Sequence, residues 1–254
     1  MRRLLLVVVA ALLLLGAAAA LMAPAALLSP AVAQFTGSRV GASDLEGSLW
    51  NGRGVLSLGD ARLPVAWQVD ALPLASGELR AHVMPADAAA RAPRAGIVAA
   101  PGRLALSDLD VTLGAGTLAD ALVRSAALRA AWRVDGDVTA TTARLDLAPG
   151  ASAGDLRIVW RDARAAFMAG PPVDAGELTV ALTAAGDRLA GPVTNRGGDL
   201  DVRGDVAVTT GGAATVSLLV TPRRADNAAL ARGLAAIGTP EGAGWRVQWQ
   251  AGAR

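Results

Sequence analysis

The sequence predicts a mainly β protein: a twisted antiparallel β-sheet or sandwich-like body behind one N-terminal transmembrane helix, with one short helix in its C-terminal region. Three observations predict it. Residues 4–22 contain no charged or polar side chain. From residue 45 to 250 apolar and polar residues alternate with period two, the pattern of strands with one packed and one wetted face. Asp226 to Ile237 carries the helix signals of the second half.

The first element follows Met1-Arg2-Arg3. Leu4–Met22, nineteen residues, rises about 28 Å as a helix, close to the hydrocarbon thickness of a bilayer. Arg2 and Arg3 hold the start in the cytoplasm and send everything after Pro24 outward. Ala31-Val32-Ala33 matches a signal-peptidase site ahead of Gln34. The apolar run is longer than the roughly 7–15 residues of a signal peptide core, so an uncleaved anchor is expected. The chain then divides into a tip and anchor over 1–28, a linker over 29–44 and a β-rich exported domain over 45–254.

Within that domain Leu63, Val65, Trp67 and Val69 alternate with Pro64, Ala66 and Gln68. The same alternation runs through 79–83, 156–160, 178–182 and 200–208. Turn signals at Asp135-Gly136, Ala185-Gly186-Asp187, Gly197-Gly198 and Gly211-Gly212 separate the runs. About ten to twelve short strands are expected, of the usual length. Gly-x-Leu openings recur at Gly77, Gly102, Gly154 and Gly176 without a fixed period, which argues against a countable solenoid. Residues 85–101 are rich in Ala, Pro and Arg and read as a surface loop or a weak midpoint boundary.

Two segments read as helix. Thr117-Leu118-Ala119-Asp120 resembles a capping box, with two turns expected through Arg124. Asp226 is the expected cap of a helix with Leu230, Leu234 and Ile237 on one face, and Gly238 the expected left-handed stop.

Composition removes several function classes. All 24 basic residues are Arg, and neither Lys nor Tyr is present, so a formal charge of +2 is enough to lift the pI to 10.6. With Arg2 and Arg3 set aside, Arg and acids balance and are interspersed. No basic stripe suited to nucleic acid results. Cysteine is absent, which excludes disulfides, thiolate metal sites and a Cys nucleophile. The single His82 belongs to the polar face of a strand and reads as a solvated residue. Asp60, Asp135, Asp137 and Asp187 sit at turn signals, where Asp bonds the backbone. No nucleophile elbow, phosphate loop or metal-ligand spacing is present. No catalytic residue, cofactor, metal or small-molecule substrate is therefore expected. Trp67, Trp132, Trp160, Trp245 and Trp249 lie in alternating strands and read as core. Trp50, between Gly47 and Gly52, is the exception: it is placed to cover a sheet edge, to sit at the membrane interface or to meet a partner, and Gly47, Trp50 and Gly52 form the candidate partner contact.

Leu45-Glu46-Gly47-Ser48-Leu49-Trp50-Asn51-Gly52-Arg53 resembles the GTLW-x-G signature of type II secretion system protein N, the general secretion pathway N component, with Ser48 in place of Thr. The similarity continues through Leu63–Trp67, Leu74–Leu79, Gly102-Arg103-Leu104, Gly154–Ala163 and Thr221–Arg224 to Gly238. It implies an accessory of the type II secretion pathway in a Gram-negative-type envelope. Such a protein is anchored in the inner membrane by a single pass, with its body in the periplasm. Its expected partners are inner-membrane components of the secretion machinery and the inner-membrane lipid. It implies neither a cofactor nor an active site. An AsmA-like periplasmic lipid-handling protein would show the same alternation and is the alternative.

Overall fold

The computed structural model describes residues 23–36, 40–87, 93–122, 132–167, 172–224 and 228–252. Fourteen strands make one antiparallel sheet: β1 (Val40–Gly47), β2 (Asn51–Leu58), β3 (Ala61–Asp70), β4 (Leu79–Pro85), β5 (Arg94–Ala100), β6 (Arg103–Gly114), β7 (Trp132–Leu147), β8 (Ser152–Phe167), β9 (Val173–Gly186), β10 (Arg188–Arg196), β11 (Leu200–Thr209), β12 (Ala214–Pro222), β13 (Thr239–Glu241) and β14 (Gly244–Ala251). Each strand pairs with its successor through β12; there β14 inserts between β12 and the three-residue β13. Among the described residues three α-helices accompany the sheet: α1 (Leu28–Thr36), α2 (Ala115–Leu122) and α3 (Ala228–Ile237). Single 3-10 turns form at Ala25–Leu27 and Leu72–Ser76.

The mainly β expectation is met, but the sheet is single and no second sheet packs on it among the described residues, so the arrangement is not a sandwich. The strands also outnumber and outrun the expected short ones: β7 and β8 have 16 residues each and β9 has 14. Bulges explain the length. Gly136 was expected to end a strand, yet it lies inside β7 at φ +107°, where a Cβ would meet Arg161 O at 2.3 Å. Glycine lets the strand bend and continue rather than turn back. Asp44, Asp108 and Asp162 do similar work at left-handed backbone positions, φ +52°, +49° and +49°. Each lies where the register slips between partners. Asp tolerates this conformation better than most residues. Beyond Asp162, Ala163 is fully buried.

The Ala- and Pro-rich stretch 85–101 holds β5 rather than only a loop. Ala95, Gly96, Ala99 and Ala100 have too little polarity contrast to show alternation, and the ladders to β4 and β6 supply the strand instead. Leu28–Thr36, from the last residue of the expected anchor into the expected linker, is helical, and β1 begins at Val40. α2 starts at Ala115, so Thr117 lies in the first turn rather than at the cap; Arg124 is outside the described residues, as is Asp226. Gly238 is not left-handed. Its N–H bonds Leu234 O at 2.9 Å, and a Cβ there would press on Arg246 O at 3.0 Å, so close approach to β14 explains the glycine.

Three apolar clusters line one face. Val193, Leu200, Val202 and Val220 pack under Leu230 and Leu234 of α3. Ala25, Val65 and Trp67 form the second, with Leu28, Leu45 and Val83 against them. Leu145, Ala184 and Leu189 form the third between them in the sheet order. No large side chain among the described residues is fully buried, as expected of one layer with partial helical cover.

Candidate partner-contact site

The turn between β1 and β2 brings Gly47, Trp50 and Gly52 together. Ser48 organises it: the Trp50 and Asn51 N–H groups donate to Ser48 Oγ at 3.3 and 3.1 Å, and the Ser48 N–H donates to Asn51 O at 2.9 Å. Gly47 has φ +90° and pairs with Gly52. A Cβ at Gly47 would meet Asn51 O at 2.6 Å; one at Gly52 would meet Glu46 O at 2.5 Å and Trp67 Cζ2 at 2.6 Å. Both glycines are thus required by a left-handed backbone or by close packing, independently of any partner.

Trp67 is the residue that ties this turn to the sheet. Its Nε1–H is shared between Ser48 O at 3.3 Å and Leu49 O at 3.2 Å, and its ring is buried in the second cluster. The Val69 N–H donates to Trp50 O at 2.6 Å, and the Leu49 N–H to Ala23 O at 2.8 Å. Pro24 and Ser48 form an antiparallel bridge. The start of the described chain is therefore laced into the same turn, and Ala25, 1% exposed, plugs the cluster beneath it. The Trp50 side chain is half-buried. The sequence marked the turn but not the role of Ala23–Leu28, because a stretch of Ala, Pro and Leu beside an apolar run carries no period of its own.

β1 is an edge strand. Its bulge at Asp44 and the Glu46–Arg53 ion pair, 2.6 Å, interrupt and charge that edge, both common ways of restraining edge-to-edge pairing.

The other tryptophans divide. Trp160 and Trp245 are half-buried, Trp132's side chain lies outside the description, and Trp249 is 56% exposed rather than core. β14 is covered by β13 only over Gly244–Arg246, so Trp249 lies beyond that shelter. His82 is exposed on β4. Asp60 and Asp187 are at turns, whereas Asp135 and Asp137 lie within β7. A surface groove lined by Arg94, Asp108, Asp110, Asp155 and Arg157 mixes both signs of charge and contains no His, Cys or Ser. Among the described residues no group of three or more His, Cys, Asp or Glu is placed to hold a metal. The clearest electrostatic feature is structural: Arg144 Nε at 2.9 Å and Arg103 Nη2 at 3.0 Å hold the Asp146 carboxyl below the usual carboxylate range by hydrogen bonding. Glu241 is lowered likewise by its pairing with Arg246.

Among the described residues no helix is long and apolar enough to cross a membrane; Leu4–Met22 lies outside them. Compared with known proteins, the chain matches the family described as type II secretion system (T2SS), protein N over residues 38–248. No curated protein and no solved structure matches it.

Proposed function

The chain belongs to the type II secretion system protein N family, and on that premise we propose that it is an inner-membrane-anchored, non-enzymatic accessory that binds other components of the secretion machinery from the periplasmic side. Family membership makes it an accessory component of type II secretion; anchoring and docking are the further steps.

The observation that carries the anchoring is the lacing of Ala23–Leu28 into the fold. Cleavage before Gln34 would remove Ala25 from its cluster and Ala23 O from the Leu49 N–H. A segment that fills the core is retained in the mature protein, and it leaves Leu4–Met22 in place as the span, with Arg2 and Arg3 inside. Docking is assigned to Trp50, at the end of the β1 edge. The bulge and ion pair of β1 restrain strand addition along that edge, so the half-buried Trp50 at its end, which supplies apolar area, carries the contact.

A photo-crosslinker at Trp50 in native membranes, followed by identification of the captured protein, tests the contact. Capture of a type II secretion component is expected. Deletion of the protein tests the pathway: export of type II substrates into the medium should fall while outer-membrane lipid asymmetry stays normal.

A second reading, lipid handling, has one observation in its favour. Ile97, Leu106, Val111 and Ile158 share the packed face in mid-sheet and each keeps partial exposure, so that face is not fully covered there among the described residues. Normal secretion with disturbed lipid asymmetry in the deletion strain would favour it.

A further inference from the structure

Exposed apolar side chains gather at one end of the first six strands. The 3-10 turn Leu72–Ser76 joins β3 to β4 and carries Leu72, 91% exposed, and Leu74, 40% exposed. Leu79 at the start of β4 and Leu104 near the start of β6 are each more than one-third exposed. They are related across the sheet through Ala99, which pairs with both. Leu27, 54% exposed, follows Pro24. Single exposed leucines are ordinary, but among the described residues five fall at this end of the strands against Met84 alone at the other, an apolar concentration that calls for an occupant.

The position of the patch selects the occupant. Val69, three residues before Leu72, donates to Trp50 O, and Leu49 in the same turn donates to Ala23 O. The apolar run ends at Met22, one residue before Ala23, a step of about 3.8 Å between Cα atoms. If Leu4–Met22 spans the bilayer, this end of the sheet stands at the membrane surface, since no slack lies between span and fold. Leu72 is within about 10 Å of Val69 by chain length alone, a distance comparable to the depth of the headgroup layer. Of the nearby charges, Glu78 pairs with Arg80 and Arg103 with Asp146, and Asp70 stands opposite Arg80 in the β3–β4 ladder.

We propose that Leu72, Leu74 and Leu27 insert into the periplasmic headgroup layer of the bilayer that Leu4–Met22 spans, fixing the sheet's orientation on the membrane. The proposal rests on the anchored reading above. It gives the protein two membrane attachments, the span and a loop tip, so that the sheet cannot swivel on a single tether.

The chain has no cysteine, so single cysteines can be placed in the full-length protein: Leu72→Cys, Leu74→Cys, Ala23→Cys and, at the opposite end of the strands, Asp60→Cys. Each is labelled with an environment-sensitive fluorophore and reconstituted in phosphatidylethanolamine–phosphatidylglycerol vesicles containing lipid with a nitroxide near the headgroup. Labels at 23, 72 and 74 should lose about half or more of their fluorescence while the label at 60 keeps its own, as expected for groups seated a few ångströms into the interface. Quenching at 23 with 72 and 74 as bright as 60 would overturn the surface contact and leave the anchor standing. Absence of quenching at 23, or a mature chain that mass spectrometry shows to begin at Gln34, would overturn the anchored reading and the contact together.

Discussion

The two ends of the sheet bury their apolar faces by different means. At the C-terminal end, α3 packs Leu230 and Leu234 on a mainly aliphatic cluster from β10, β11 and β12, with Trp245 of β14 beside it. At the N-terminal end the buried set is Ala25, Val65 and Trp67, and directional bonds do much of the fixing: the Trp67 indole holds two carbonyls of the β1–β2 turn, and that turn holds Ala23. The difference separates two jobs. A helix over aliphatics makes a stable lid and tolerates repacking. An aromatic tied into a glycine turn makes a joint of defined geometry, at the place where the chain arrives from its apolar N-terminus.

The largest expected effect breaks that joint. Trp67→Ala removes the ring and both indole bonds and should cost about 3–5 kcal/mol. Leu234→Ala at the other end should cost about 2–4 kcal/mol, read as urea unfolding of the purified full-length protein. Hydrogen exchange sharpens the comparison. Protection of the Leu49 N–H, which depends on Ala23, should be lost in Trp67→Ala and kept in Leu234→Ala. Loss of protection in both variants would mean that the two ends open as one unit.

Next comes Gly52→Ala. The added Cβ would stand 2.5 Å from Glu46 O and 2.6 Å from Trp67 Cζ2, so either the β1–β2 ladder or the indole must move. A loss of about 1–3 kcal/mol is expected. Gly233→Ala in α3, where nothing lies within 4 Å of the added Cβ, should stabilise by up to about 1 kcal/mol through helix propensity. Opposite signs for the two substitutions follow from the contrast between joint and lid.

These comparisons also explain what was legible beforehand. The strands of β3, β9 and β11 show strict alternation, and α3 shows a one-sided apolar stripe, so they could be read directly. β5 could not, because Ala and Gly carry little contrast and only its neighbours make it a strand. The bulges were hidden for a related reason: Asp135-Gly136 reads the same whether the chain turns or bends through a bulge, and the partner strand decides. The Gly47–Gly52 turn was legible as a motif, but its tie to Ala23 joins residues 26 apart by a backbone bond that no side chain announces.

A smaller effect concerns Asp146, between Leu145 and Leu147 of the third cluster in β7 but on the opposite face of the sheet. Two guanidinium groups lower its pKa, Arg144 first and Arg103 second. A carboxyl lowered in the folded state stabilises fully above its unfolded pKa, and that contribution is lost as pH falls through the folded value. Both Arg partners are more than half exposed, so the pair is screened by solvent. Asp146→Asn should cost no more than about 1 kcal/mol near neutrality. The cost should shrink towards zero in strong acid, where the wild-type carboxyl is protonated as well. A cost that stays constant with pH would assign the effect to packing in the β6–β7 ladder instead of charge.

The smallest expected effect tests the absence of chemistry. His82 lies on the wetted face of β4, opposite Gln68 of β3 and Gly96 of β5. It is exposed; a Cβ built on Gly96 would touch its Nδ1 at 3.5 Å, ordinary contact. An exposed imidazole in that setting is a solvated strand residue. His82→Ala should change stability by no more than about ±0.5 kcal/mol and leave secretion of type II substrates intact, measured as the fraction of substrate in the medium. Because this is the chain's one histidine, lost secretion from a normally folded and abundant variant would reveal a functional site at His82. It would also move the working surface from the end of the β1 edge to the outer face of β4, three strands into the sheet.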